Sequence, residues 1–107
     1  MAMIYDVLIV GLGCAGYTSA IYTARYKLST FIVGAEDGGL GLTAAEVGNW
    51  PGEIEITGPD LMEKFKKHAM SFENVKHQNA RVEKVEKTAN GFSMKLDDGQ
   101  AIEGKSV

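Results

Sequence analysis

Tyr5-Asp6-Val7-Leu8-Ile9-Val10-Gly11-Leu12-Gly13-Cys14-Ala15-Gly16 is the stretch on which the fold turns. Its first half is a nearly unbroken branched-aliphatic run, which predicts a strand buried on both faces, of the kind that parallel sheets contain. The run stops at Gly11. From Cys14 to about Tyr26 the small residues Gly16, Ala20 and Ala24 recur every fourth position, with Ala15, Ser19 and Thr23 beside them. That spacing predicts a helix with a smooth face, able to lie close against a sheet. Leu28 to Val33 supplies a second β-branched run, so the opening residues read as one βαβ unit with a right-handed crossover.

The glycines between strand and helix carry the first functional reading. Gly11-x-Gly13-x-x-Gly16 follows a predicted strand and opens a predicted helix, the context in which the pattern points to a dinucleotide. Gly11 permits the tight turn, Gly13 lets the backbone approach a pyrophosphate, and Gly16 lets helix and strand touch. The helix N-terminus adds free N–H groups and a positive dipole end. Out of context the same glycines mark only a tight turn. An acid about 20 positions on ordinarily binds the adenosine ribose. Here the second strand ends in Val33-Gly34-Ala35, and the first acids are Glu36 and Asp37. Glu36 is the ribose candidate, with a solvated loop charge as its plain alternative.

Composition bounds the rest. With 107 residues, 45% hydrophobic and 23% charged, the chain holds one modest core at most, so a two-domain enzyme is expected to be incomplete in it. A net charge of −3 gives no basic field for a phosphate backbone, which argues against nucleic-acid binding. The apolar run from Val7 to Gly16 is far shorter than the roughly 20 residues a spanning helix needs, so no membrane residence is expected. No Lys or Arg precedes it, unlike a secretory signal. The single cysteine, Cys14, makes no intrachain disulfide or CxxC pair, and a reducing cytoplasmic setting fits.

Residues 34–58 form a long glycine-bearing loop whose Leu40, Leu42, Val47 and Trp50 argue against disorder. Thr57-Gly58-Pro59-Asp60 resembles a capping box and leads into Leu61, Phe65, Ala69 and Phe72 at helical spacing, which predicts an amphipathic helix to about Phe72. Beyond it, Val75 to Gln78, Arg81 to Lys87, and the alternating Phe92, Met94 and Leu96 read as short strands around turns at Asn90-Gly91 and Asp97-Asp98-Gly99. They predict a small antiparallel meander, with a bulge between Val82 and Val85 because those two stand three apart. Lys105-Ser106-Val107 reads as the start of a further strand, and a truncated domain is expected.

The motifs together resemble a known family. Asp6 to Gly16, then Ala20-Ile21-Tyr22-Thr23-Ala24-Arg25, Gly38-Gly39, Glu46-Val47-Gly48-Asn49-Trp50-Pro51-Gly52 and Thr57-Gly58-Pro59-Asp60-Leu61-Met62 are similar to the N-terminal FAD-binding segment of thioredoxin reductase, a two-dinucleotide-domain flavoprotein. The glycine fingerprint is shared by many flavoproteins, whereas the Asn-Trp-Pro-Gly loop followed by Thr-Gly-Pro is more particular. The resemblance implies an α/β, Rossmann-like FAD-binding βαβ unit with a three-stranded antiparallel meander. It implies that residues 1–107 are part of an FAD domain, with the NADPH domain, its CxxC and the C-terminal return of the FAD domain lying outside the chain. It further implies FAD contacts from Gly11, Leu12, Gly13, Cys14 and Ala15, from Gly34, Ala35 and Glu36, from Gly39, Leu40 and Leu42, from Asn49, and from the Val82 backbone near the adenine. Cys14 stands where the family usually has Pro, and Leu40 where it usually has Gln.

The implied activity of the intact parent is NADPH to flavin to disulfide to thioredoxin or a similar disulfide protein, in a homodimer. This segment alone is expected to be inactive, since it holds no acid, base or nucleophile for that reaction. The alternatives are the FAD domain of a ferredoxin-NADP reductase-type flavoprotein, or a free-standing nucleotide-binding module without catalysis. Among the other candidates, Cys14 reads as a small packing residue before a reactive thiol, His68 and His77 as surface or boundary residues before metal ligands, and Trp50 as a packing residue before a flavin cover. Lys64, Lys66 and Lys67 read as a solvated helix face before a docking surface.

Overall fold

A computed structural model describes residues 3–107. Strand β1 (Ile4–Val10) is followed by helix α1 (Cys14–Arg25) and strand β2 (Thr30–Gly34), the anticipated βαβ unit, with β1 and β2 parallel from Val7 opposite Thr30 to Val10 opposite Val33. A 3-10 turn (Gly39–Thr43) and a single bridge between Val47 and Ile56 give the long loop its only regular pairing among the described residues. Helix α2 (Gly58–Met70) then leads to β3 (Val75–Asn79), β4 (Val82–Thr88), β5 (Gly91–Leu96) and β6 (Ala101–Ser106).

All six strands belong to one sheet in the order β3-β2-β1-β6-β5-β4. The three inner pairings, β3 with β2, β2 with β1 and β1 with β6, are parallel, and the meander pairings β4 with β5 and β5 with β6 are antiparallel. Two expectations change here. Val75 to Gln78 does not join the meander but runs parallel to β2 along its whole length, because a helix intervenes and returns the chain in the same direction. Lys105 and Ser106 do not begin a new strand; they finish β6, whose Ala101–Gly104 portion pairs with β5 on one side while its Glu103–Ser106 portion pairs with β1 on the other. The expected irregularity in β4 is present, as a register shift between Val82 and Lys84.

Strand alternation divides the core into two layers. Ile32 and Ile9 face α1 and α2, where Leu12, Tyr17, Ala20, Ala24, Met62, Ala69 and Val75 close the packing. Leu8, Phe31 and Val33 face the other way, onto Met94 and Leu96 of β5, with Tyr5, Val82, Phe92 and Ile102 around them. The meander therefore folds back over the face of the parallel strands that the helices leave open, which is why every residue of β2 is buried. Gly104 makes that approach possible: a Cβ there would lie 2.4 Å from the Leu8 side chain.

Candidate dinucleotide site

The glycine loop sits where β1 ends and α1 begins, at the carboxyl edge of the parallel strands, the place where open α/β sheets bind ligands. Gly11 has φ +128°, a conformation strained for any L side chain, and its N–H extends the parallel ladder by donating to the Val33 carbonyl at 2.7 Å. At Gly16 the reason for glycine is contact rather than torsion. A Cβ there would lie 2.0 Å from the Gly11 carbonyl oxygen, so helix and turn touch through backbone alone. Gly34 does the same for strand β2, where a Cβ would meet the Leu12 side chain at 2.9 Å.

Gly11 and Gly13 instead face open space, since a Cβ at either would meet nothing within 4 Å. Gly13 is the N-cap of α1; no side chain caps this end and its first turn carries no acid. The end of the helix thus presents backbone donors and the positive end of its dipole toward a space bounded by glycine. These residues fit the diphosphate of a dinucleotide: an uncapped helix end needs an acceptor, and the bare backbone leaves room for one.

The segment after β2 closes on this loop. The Gly38 N–H donates to the Leu12 carbonyl at 2.7 Å, and a Cβ at Gly39 would stand 3.4 Å from the Gly13 Cα. Gly34, Ala35, Glu36 and Gly39 are thereby gathered around Gly11 to Ala15. Glu36 is exposed at the end of β2, while Asp37 is held by Tyr17 and Lys66, so of the two acids only Glu36 keeps its carboxylate toward solvent. Leu40 is 87% exposed and Leu42 is 45% exposed, the Leu42 side chain lying over Gly38. The Ala80 N–H donates to the Gly34 carbonyl at 2.9 Å and brings the start of β4, with half-buried Val82, to the same strand end. Asn49 is exposed in the loop that the Val47–Ile56 bridge closes.

The remaining candidates resolve by packing. Cys14 is free and exposed at the first position of α1. Trp50 lies against Phe65, ring centroids 5.1 Å apart and tilted by 54°, walling a groove between α1 and α2. Lys64 pairs with Glu53 and Lys66 with Asp37, so two of the three lysines are tied down rather than free. Among the described residues no group of His, Cys, Asp and Glu could hold a metal ion, and no helix is long and apolar enough to cross a membrane.

One cluster escaped the sequence reading. Tyr17, fully buried, donates its hydroxyl to Asp37, whose second carboxylate oxygen accepts from Lys66 Nζ; His77 Nε2 lies 3.4 Å from the Tyr17 oxygen. Burial, reinforced by the Asp37 carboxylate, pushes the Tyr17 hydroxyl above the usual phenol range. Partial burial acts to raise the Asp37 carboxyl, yet the Lys66 ammonium and the Tyr17 hydroxyl outweigh it and hold the group below the ordinary carboxylate value. Partial burial lowers His77, the Asp37 charge opposing and Lys66 assisting. These residues lie from 11 to 60 positions apart along the chain, so no local pattern joins them. The one available cue was a tyrosine on a helix face of small residues, since a buried hydroxyl needs a partner.

No family model matches the chain. Among curated proteins, the thioredoxin reductase of Mycoplasmopsis pulmonis is 39% identical over 106 residues, 97% of this chain and 34% of that protein. The thioredoxin reductase of Vibrio cholerae is 51% identical over 69 residues, 63% of this chain and 22% of that protein. Glucosaminate ammonia-lyase of Pseudomonas fluorescens is 46% identical over 69 residues, again 63% of this chain. Among solved structures, the thioredoxin reductase of Streptococcus pyogenes superposes with a TM-score of 0.90 at 33% identity, over 98% of this chain and 34% of that one. The chain thus spans about a third or less of the length of the proteins it matches. By sequence and by fold together, nearly the whole of this chain is similar to about a third of the thioredoxin reductases, the portion that carries their FAD-domain fold.

Proposed function

We propose that this chain is the FAD-binding portion of a thioredoxin-reductase-like flavoprotein oxidoreductase, residues 1–107 forming part of its FAD domain. The observation that carries the reading is the open backbone at Gly11 and Gly13 in front of an uncapped helix end, in a chain similar to thioredoxin reductases. When bound, FAD would supply two-electron redox chemistry between a nicotinamide and a disulfide. The chain's own residues bind and orient. Gly11 to Ala15 would receive the diphosphate on backbone N–H groups, Glu36 would accept from the adenosine ribose hydroxyls, and Gly34, Ala35 and Gly39 would shape the walls. Leu40, Leu42, Asn49 and the Val82 backbone would border the cofactor further out. In the intact parent, NADPH would be the donor and thioredoxin or a similar disulfide protein the acceptor, with the dithiol chemistry supplied outside this segment.

The glucosaminate ammonia-lyase, alike over 69 residues, means that this portion recurs in a protein named for a different activity, so cofactor binding is the property to test here. Gly13 has φ −96° and ψ −167°, extended backbone open to any residue, and nothing lies within 4 Å of a Cβ. Gly13→Val should therefore leave the thermal midpoint within a few degrees of wild type while abolishing quenching of added FAD fluorescence. Equal FAD binding by wild type and Gly13→Val would sink the assignment.

A further inference from the structure

The partly buried cluster beside the glycine loop has no part in the dinucleotide reading, yet its members come from four separate segments of the fold. Tyr17 projects from α1, Asp37 from the turn after β2, Lys66 from α2 and His77 from β3. Both carboxylate oxygens of Asp37 are taken, one by the Tyr17 hydroxyl and one by Lys66 Nζ. The Tyr17 ring is itself immobilised, fully buried among Leu12, Ala20 and Ile32, with the His77 ring stacked on it at a centroid distance of 6.3 Å. Charge-assisted bonds to a single carboxylate from two helices fix its position more firmly than neutral bonds do.

Asp37 stands between the two residues that matter for the site. Glu36 before it is exposed at the strand end, and Gly38 after it, with φ +95°, donates its N–H to Leu12 of the glycine loop. The turn is thus fastened twice in succession, by a side chain at Asp37 and by backbone at Gly38. We propose that Asp37 is a positioning residue: gripped by Tyr17 and Lys66, it holds the turn after β2 so that Glu36 and Gly39 face the mouth of the glycine loop. The ligand this serves rests on the FAD reading above, whereas the grip and its effect on the turn do not.

The test compares wild type with Tyr17→Phe, Lys66→Met and Lys66→Arg, by amide hydrogen exchange of the free chain and by titration with FAD, ADP and FMN. Loss of one charge-assisted bond should speed exchange across residues 38–43 about tenfold in Tyr17→Phe and Lys66→Met, leave β1 and β2 amides unchanged, and be reversed in Lys66→Arg. FAD and ADP should bind about tenfold more weakly to the first two variants, with FMN unaffected, because only the adenosine half meets Glu36. Unchanged exchange over residues 38–43 in both variants overturns the proposal. So does a rise shared equally by β1 and β2, which would mark general destabilisation, or a loss of FMN binding as large as that of ADP. A wild-type chain that binds none of the three ligands sinks the FAD reading alone, and the exchange comparison then decides this one.

Discussion

Two glycines three positions apart, Gly13 and Gly16, serve opposite ends, and substitution should separate them. At Gly16 a methyl group would fall 2.0 Å from a backbone oxygen that cannot rotate away, so Gly16→Ala should destabilise the fold by about 3 kcal/mol, read from the urea midpoint. Gly13, by contrast, tolerates a side chain and loses only its ligand. Asp37 gives the acid limb of stability a defined sign. Its carboxyl titrates below its unfolded value, so its stabilisation is present above about pH 4 and is lost as pH falls through the lower folded-state value. Asp37→Asn should flatten the decline of the melting temperature in that acid range. The flattening should be partial, because Asp6 is also lowered, chiefly by the Ser29 backbone N–H and by Lys105. An undiminished decline in Asp37→Asn would contradict the ion pair. At this scale the glycine fingerprint was legible because each glycine answers a local demand of turn or contact. The Tyr17–Asp37–Lys66 set was not, because it exists only after α1, α2 and β2 have packed.

Among elements, α2 shows its start most plainly. The Asp60 N–H donates to Thr57 Oγ1 at 3.2 Å, and Pro59 occupies the first turn, as the sequence of that segment suggests. Thr57→Ala should cost about 1 kcal/mol in chemical denaturation, and Thr57→Ser should recover most of it. Apart from the further strand expected at Lys105-Ser106-Val107, each predicted helix and strand is present, with ends displaced by a residue or two, as fraying and cap geometry dictate. What alternation could not reveal was partnership. Val75 to Asn79 has the composition of any short strand, and only the packing of α2 beneath β2 and β3 sets it parallel at the edge. Likewise the meander strands were recognisable from their turns, but their folding over Leu8, Phe31 and Val33 depends on Gly104, a residue that stands alone in a polar stretch.

For the whole molecule, the two core layers share β1 and β2, so neither can melt while the other stands. Trp50, the single tryptophan, reports from the helix side through Phe65, whereas Met94 is fully buried on the meander side. Met94→Ala should lower stability by about 3 kcal/mol and shift the Trp50 fluorescence transition and the far-UV circular dichroism transition together. Separated transitions would show that the meander unfolds as an independent unit. The same arrangement has a consequence for biosynthesis. β1 receives its second neighbour only when Gly104 and Ser106 arrive beside Tyr5 and Val7, and Ser106 Oγ then donates to the Asp6 carbonyl at 2.8 Å. During translation, β1 must keep one hydrogen-bonding edge bare until roughly a hundred further residues have emerged, a long wait for a strand this apolar. The nascent chain therefore offers chaperones an extended and aliphatic target at β1, whose free edge closes only when β6 pairs beside it.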